Sequence, residues 1–588
     1  PLLGLQVNGR VETMLDLLNR FKKNNDPLDN LKAAQLWWKK IQAGDLATAH
    51  AEVAELVNRF ISSQPEPNAS RLQALLWLDD QIQPAQESLI VQYVQNPRMS
   101  KTIESRLWHQ VMGLAHHMIV AYLRFIRDPG RAEEGKDVPI KPATGPSIEP
   151  FLSKAMARTL RYLGLQAKFQ YFRFLAPDKK FWAMVNQIFR FAEVKGVDSD
   201  SFPLYDSLRQ RASSSADEYL QIMMLSNLNS GALTPRQMEL ASTWMGMWSH
   251  HIVIEKHAKP GEHQFYVDLS GYEPVRRVGS KIPQGNISRC WSTVELVQQI
   301  GLIRRTLESG SKSTSLDDSF RQPGALDLLK HIESWWLPEK LVQPQRHADR
   351  VKVKKMLDVM QGMHDICLHI RHDNERMSDL EKRQDADHDE MLDMRQYGFV
   401  TDRTKQRKVQ AMAEHVQKHT IGEHETWVVE NESKGGYGAT LTLVENDWVR
   451  LDTIMAVRPE NTDHWHLATI RRLSRLPDGH MYAGIQVLAY APVTVDIKMR
   501  HARSSGYSID GIDSSSVTLS GIGVFTPAKS NTQKVNGLVM RASDYQLDKP
   551  MTLCARGKEF SVRAKDVMAR GTDWVWVRVE SDPPVASS

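Results

Sequence analysis

The spacing of apolar residues changes once along the chain, and this change constrains the fold more than any other feature. From Val11 to about Arg383, apolar residues recur with the period of an α-helix, whereas from Trp427 onward they alternate in short runs typical of β-strands. The sequence therefore predicts a multidomain α+β protein, in which a large α-helical N-terminal body precedes two small β-modules.

The helical pattern is divided by turn residues and by one strand-like run. Asp45 is placed to cap a helix after the turn at Ala43–Gly44. A strand is predicted at His263–Leu269, and the stretch Asp128–Pro150, rich in Pro and Gly, is predicted to be a loop or linker. The predicted helices cover Leu31–Gln42, Leu46–Phe60, Ser70–Gln95, Thr102–Arg127, Ile148–Phe174, Lys179–Glu193, Ala216–Leu228, Pro235–Ile252, Trp291–Leu307, Ala325–Trp336 and Val351–Met377.

The stretch Thr426–Leu443 has the pattern of two strands joined by a polar tip. Trp427 and Val429 alternate before the tip, and Lys434-Gly435-Gly436 allows the backbone to turn sharply. Because glycine has no Cβ, a flat or charged ligand can approach the backbone at this tip. The pattern therefore indicates a binding site at the margin of a sheet.

Further short runs of alternating apolar residues follow this hairpin. Asn, Asp, Pro and Gly turns separate them, which is the spacing of small antiparallel barrels. A first group comprises Trp448–Leu451, Thr453–Val457, Trp465–Leu473 and Met481–Leu488. A second group, predicted to form another small barrel or sandwich, comprises Val517–Phe525, Asn536–Met540, Met551–Ala555, Phe560–Ala564 and Trp574–Val579.

Two short motifs lie near the hairpin, one at its tip and one before it in the sequence. Asn431-x-Ser433-x-x-Gly436 covers its tip, and Arg403-x-x-x-Arg407 precedes it by about two dozen positions. Together they resemble the signature of PilZ domains, which are bacterial receptors for cyclic di-GMP, and the barrel pattern that follows strengthens the resemblance. The resemblance implies a PilZ-like antiparallel β-barrel that binds cyclic di-GMP. No catalytic or metal-ligating motif is found in the sequence, so no catalytic residue, metal or other cofactor is expected.

The resemblance also assigns a role to each motif residue. Arg403 and Arg407 would clamp the ligand, because a guanidinium binds a phosphate or the edge of guanine through two parallel hydrogen bonds. Asn431 and Ser433 would bond a base or a phosphate from the barrel surface. Gly436 would shape the turn beneath them.

These patterns divide the chain into four predicted parts. Residues 1–128 form one α-helical region, and residues 150–384 form another with a short β insertion. The resemblance to PilZ domains covers roughly residues 398–490, within a barrel predicted at 395–492. A second C-terminal β-rich module is predicted at 493–582.

Composition excludes several classes of protein. A net charge of +5 over 588 residues is slight, so the chain is not expected to bind nucleic acid. Three cysteines, which lie far apart, fit a reducing compartment and predict no metal site. The most apolar helix pattern, Leu107–Ile126, carries three histidines and an arginine, so no membrane span is expected. We therefore predict a cytoplasmic protein.

Three functions of different classes remain open. Nucleophile elbows, phosphate-binding loops and metalloprotease helices are absent from the sequence, so it is not expected to be an enzyme. The first hypothesis is a signalling effector that binds cyclic di-GMP and relays it through the helical body to an unidentified protein partner, with homo-oligomers as a further option. The alternative is a degenerate, ligand-independent adaptor, and an RNA-binding barrel protein is the third.

Overall fold

Two compact units make up the chain, Pro1–Leu341 and Val342–Ser588. The computed structural model describes residues 26–126, 148–207, 212–310, 316–337, 350–374, 391–406, 424–501 and 517–581, with gaps at 43, 98, 260, 279–286, 393, 396–399, 402, 404, 443–447, 461 and 556.

The first unit is mainly α-helical, as the sequence predicts. Its helices are α1 (Leu31–Ile41), α2 (Leu46–Ser63), α3 (Ala69–Gln95), α4 (Lys101–Ile126), α5 (Glu149–Phe172), α6 (Lys179–Lys195), α7 (Ser215–Ser226), α8 (Pro235–Trp248), α9 (Val294–Glu308) and α10 (Ala325–Trp336). Short strands lie between them, namely β1 (Phe202–Pro203), β2 (Ala212–Ser213), β3 (Phe265–Asp268), β4 (Arg276–Arg277) and β5 (Ser288–Trp291). The strand predicted around residue 265 is the central strand of the sheet β4-β3-β5.

Side-chain caps explain why the helix starts were predictable. The side chain of Asp45 accepts a hydrogen bond from the backbone N–H of Thr48 at 2.8 Å, and Asn68 caps α3 in the same way. Pro84 lies inside α3 without ending it. None of the helices in the described part of the chain combines the length and apolar composition that a bilayer crossing requires.

A buried polar network joins three helices of the first unit. The carboxylate of Asp79 on α3 accepts hydrogen bonds from the hydroxyls of Tyr122 and Tyr162, at 2.6 and 2.5 Å. It also lies 3.2 Å from the guanidinium of Arg158, which is 1% exposed. Since every charge in this network has partners, it fixes how α3, α4 and α5 pack.

The second unit contains a first six-stranded closed barrel, here called barrel 1. Its strands are β6 (Val351–Gln361), β7 (Glu425–Ser433), β8 (Gly436–Leu441), β9 (Ile454–Pro459), β10 (His466–Arg475) and β11 (Met481–Ala489). Around the barrel the order is β6-β7-β8-β11-β10-β9, and every pair is antiparallel. Residues 363–374 form helix α11, which follows β6 directly.

Two sequence predictions for barrel 1 are wrong. The helix predicted over Val351–Met377 is a strand up to Gln361, and only its second part is helical. Apolar residues alternate along β6, but a bulge between Lys352 and Lys355 breaks the alternation, and its partner strands β7 and β9 lie far along the chain. The segment predicted as a strand at Trp448–Leu451 is a turn.

A second closed barrel, barrel 2, follows in the chain. Its strands are β12 (Val493–His501), β13 (Val517–Thr526), β14 (Gly537–Arg541), β15 (Pro550–Ala555), β16 (Lys558–Arg570) and β17 (Trp574–Ser581). The order around this barrel is β12-β13-β14-β17-β16-β15. The predicted β-module is therefore a closed barrel, and β12 is a strand that the sequence patterns did not indicate.

Buried residues of both barrels together form one apolar core between them. Ile454 and Leu467 from barrel 1 belong to the same buried cluster as Val539, Trp574 and Trp576 from barrel 2. Helix α11 contributes Ile366, Cys367 and Ile370 to this cluster. The outer surface of barrel 1 is therefore divided into a part covered by barrel 2 and an open part.

Candidate functional site

The hairpin of β7 and β8 carries the second predicted motif. Ser433 pairs with Gly436 across the hairpin, so Lys434 and Gly435 form its tip. A Cβ at Gly436 would overlap the carbonyl oxygen of Ile485 on β11, which explains why glycine is needed there. The structure thus brings Asn431, Ser433 and Gly436 together at one edge of barrel 1.

A β-bulge turns two neighbouring side chains to the outside of the barrel. The register of β7 against β8 shifts between Val429 and Asn431, which leaves Glu430 as the extra residue. The hydroxyl of Thr440 donates a hydrogen bond to Glu430, and the Asn431 amide lies 3.0 Å from the hydroxyl of Tyr482. The bulge therefore presents Asn431 on the open outer surface.

A row of residues crosses four strands at the level of Asn431. Asn431 pairs with Gly438, Gly438 with Gly484, and Gly484 with Arg472. On β11, Gly484 lies between Tyr482 and Gln486 on the same face, because side chains alternate along a strand. Gly484 keeps this row low on β11, whereas the space over Gly438 is occupied by the Asn431 amide and the Tyr482 hydroxyl. We call the outer surface formed by Asn431, Ser433, Gly436, Gly438, Arg471, Arg472, Tyr482, Gly484 and Gln486 the motif face.

Two consecutive arginines border the motif face on β10. A second bulge, between Ile470 and Arg472, places Arg471 beside Gln486, and its Nε donates a hydrogen bond to the Gln486 Oε1 at 2.8 Å. The Asp452 carboxylate also lies 2.6 Å from the Arg471 guanidinium. Arg472 is exposed beside Gly484. Arg472 therefore supplies positive charge beside the low surface over Gly484, whereas the charge of Arg471 is offset by Asp452.

Three rings lie under the hairpin tip. The hydroxyl of Tyr490 donates a hydrogen bond to the carbonyl oxygen of Lys434, and the ring of Tyr490 packs edge-on against His466 with centroids 5.1 Å apart. Burial, and to a smaller extent the neighbouring His464, lower the pKa of His466 to about 4. Burial likewise raises the pKa of Tyr437 to about 12. The rings are therefore uncharged near neutral pH and form an apolar support for the tip.

The structure describes only one of the two arginines of the predicted motif Arg403-x-x-x-Arg407. Arg403 is exposed and lies in a helical turn, in which the backbone N–H of Lys405 donates to the carbonyl of Thr401 at 3.0 Å. Arg407 lies outside the described residues, as does the acidic run Asp385–Glu390. The ligand-binding role of Arg403 and Arg407 therefore stays a prediction.

Sequence patterns did not identify several residues of the motif face. Gly438, Tyr482, Gly484 and Gln486 join it because β8 pairs with β11, two strands later in the chain. Arg471 and its neighbour share a face only because of the bulge, since consecutive residues in a regular strand point to opposite faces. Their one signal in the sequence was the pair of adjacent arginines within a predicted strand.

The arrangement suits a ligand that is both planar and anionic. A low surface accepts a flat ring, the amide of Asn431 and the hydroxyl of Ser433 offer hydrogen bonds to its edge, and guanidinium groups attract phosphate. Among the described residues, no group of three or more His, Cys, Asp or Glu side chains is arranged to hold a metal ion.

Comparison with protein families gives two matches. Residues 32–259 match a family described as the N-terminal domain of the cyclic-di-GMP receptor FimW. Residues 367–492 match a family described as the middle PilZ domain of the same receptor. Neither curated proteins nor solved structures gave a significant match. The second match includes the β7–β8 hairpin and the whole motif face.

Proposed function

Since this chain belongs to the PilZ-domain family, we propose that it is a receptor for cyclic di-GMP, which binds at the motif face of barrel 1. The observation that carries the proposal is the placement of the half-buried Asn431 and Ser433, with the buried Gly436 beside them, on one face bordered by Arg471 and Arg472.

The chemistry of the face fits the two parts of this ligand. A guanine ring would lie over Gly484, between Tyr482 and Gln486, where a side chain is missing. Its edge carries donors and acceptors that match the amide of Asn431, and Arg472 can approach a phosphate from the neighbouring strand. Arg403 and Arg407 would close over the ligand from the segment between β6 and β7.

The proposed output is a change in protein binding, without a chemical reaction. A ligand that bonds both the hairpin and the arginine segment favours the conformations in which the two are close, and so shifts the population of states. We infer that the helical first unit, in the bacterial cytoplasm, presents a different surface to a protein partner, or to a second copy of the chain, in the bound state.

One observation favours a second candidate function. The Asn431 amide already contacts the Tyr482 hydroxyl at 3.0 Å, and a Cβ at Gly438 would overlap both groups. A face that is partly filled by its own side chains is also expected of a degenerate barrel, which serves as a ligand-independent adaptor.

Calorimetric titration with cyclic di-GMP distinguishes the two functions. We expect saturable binding by the wild-type chain that is at least tenfold weaker in Ser433→Ala and in Arg407→Ala, because each variant removes a ligand contact. Ser543→Ala and Arg236→Ala are matched controls, since both residues are far from the motif in sequence and Arg236 is exposed on α8. Absence of binding by a folded wild-type chain would contradict the receptor function and indicate a degenerate barrel, whose protein partners would then be sought.

A further inference from the structure

Barrel 2 repeats the strand order of barrel 1. In each barrel the first three strands are adjacent, and the sixth, fifth and fourth strands complete the ring. The β13–β14 connection of barrel 2 therefore corresponds to the β7–β8 hairpin of barrel 1. Gly537 at the start of β14 pairs with Thr526, just as Gly436 at the start of β8 pairs with Ser433.

The corresponding position in barrel 2 is closed to ligands. The indole N–H of Trp576 donates a hydrogen bond to the hydroxyl of Thr526 at 2.9 Å. A Cβ at Gly537 would overlap this indole and the Thr526 hydroxyl, so the surface over Gly537 is already filled. Trp576 is 1% exposed and belongs to the apolar core between the barrels.

The β13–β14 loop instead lies beside the motif hairpin of barrel 1. The backbone N–H of Tyr490 donates to the carbonyl of Ser530 at 2.7 Å, and the N–H of Thr532 donates to the carbonyl of Leu488 at 3.1 Å. The hydroxyl of Tyr490 also donates a hydrogen bond to the carbonyl of Lys434. Tyr490 therefore links the hairpin tip, through its side chain, to the β13–β14 loop, through its backbone.

The loop itself is held in a fixed conformation. The amide of Asn531 donates hydrogen bonds to the carbonyls of Thr526 and Val535, at 2.8 and 2.6 Å, and Asn531 is 7% exposed. Lys529 and Lys534 are exposed on this loop. Cations on a rigid loop lose little entropy when they bind an anion.

We propose that the β13–β14 loop of barrel 2 is the second wall of the nucleotide site, in which Lys529 and Lys534 bind the phosphates of cyclic di-GMP. This inference rests on the proposed function, since it assigns further contacts to the same ligand. It gives barrel 2 a role in recognition, although the corresponding position on its own surface is filled.

Charge reversal on the loop tests the proposal. The double variant Lys529→Glu, Lys534→Glu in the full-length chain is compared with wild type by calorimetric titration with cyclic di-GMP, at two salt concentrations. We expect binding to weaken at least tenfold and its salt dependence to decrease, because two phosphate contacts are replaced by repulsion.

The matched control is the double variant Lys549→Glu, Lys558→Glu. These lysines are also exposed on barrel 2, and the reversal changes the net charge by the same amount. Equal weakening in both double variants, or unchanged binding in the loop variant, would overturn the wall proposal while leaving the receptor function intact. Absence of binding by the wild-type chain would instead overturn the receptor function, and with it the wall.

Discussion

At the scale of single residues, His466 shows how burial sets a protonation state next to the candidate site. The side chain is 7% exposed, and its low pKa means that the folded protein keeps it neutral where an exposed histidine would be charged. Unfolding at mildly acidic pH therefore takes up a proton. The contribution of neutral His466 to the free energy of unfolding is therefore fully present above about pH 6.5, and it is lost as the pH falls toward 4.

We accordingly expect acid to destabilise the second unit in part through His466. From pH 6.5 to 4.5, the free energy of unfolding should fall by up to about 1.4 kcal/mol per pH unit more in the wild type than in His466→Gln. Urea titrations across this range measure the difference. His480→Gln is the control because His480 is half exposed. If both variants follow the wild-type pH dependence, His466 does not titrate in this way.

At the scale of elements, the pairing of β8 with β11 makes two glycines neighbours in different surroundings. A Cβ at Gly438 would overlap the hydroxyl of Tyr482 and the amide of Asn431. A Cβ at Gly484 would lie 3.2 Å from the Cβ of Arg472 and no closer than 3.8 Å to its backbone atoms, so a shift of a few tenths of an ångström between β11 and β10 accommodates it. The two positions of one cross-strand pair therefore differ in their tolerance of alanine.

We expect Gly438→Ala to lower the free energy of unfolding by about 0.5–1.5 kcal/mol, because the new methyl group displaces the Tyr482 hydroxyl and the Asn431 amide and breaks the hydrogen bond between them. Gly484→Ala should change it by no more than about 0.5 kcal/mol. Urea unfolding of both variants in the full-length chain measures these values. Equal costs for the two substitutions would contradict the packing described at Gly438.

The sequence predicted elements better than it predicted their pairing. Helix α10 was predicted at its observed bounds because its apolar period is regular over its whole length. Strand β6 was missed because a bulge disturbs its alternation and its partners lie far along the chain. Ser433 and Gly436 were identified because they lie close together in the sequence. Gly484 and Arg472 could not be identified without knowing that β8 pairs with β11 and β11 with β10.

At the scale of the whole molecule, the second unit depends on packing between its barrels. Trp574 is 1% exposed in the shared core, and its indole N–H donates to the carbonyl of Asp452 in barrel 1 at 2.7 Å. Asp452 in turn holds Arg471 of the motif face. The stability of either barrel therefore includes contacts with the other.

We expect Trp574→Ala to destabilise both barrels together, by about 3–5 kcal/mol. Amide hydrogen exchange in the full-length chain should show increased opening in β9 and β10 as well as in β14 and β17. The helices of the first unit serve as the internal reference and should keep their protection. Increased exchange restricted to barrel 2 would mean that the shared core does not couple the barrels.

The position of β6 before the arginine segment has a consequence for affinity. Strands β6 and β7 are paired neighbours, so the chain between them, with Arg403 and Arg407, is fastened to the same sheet at both ends. A group tethered in this way reaches a nearby ligand at an effective concentration on the order of millimolar. The arginines would then act as a second, linked binding group, so that the affinity for the whole ligand greatly exceeds what either half of the motif provides separately.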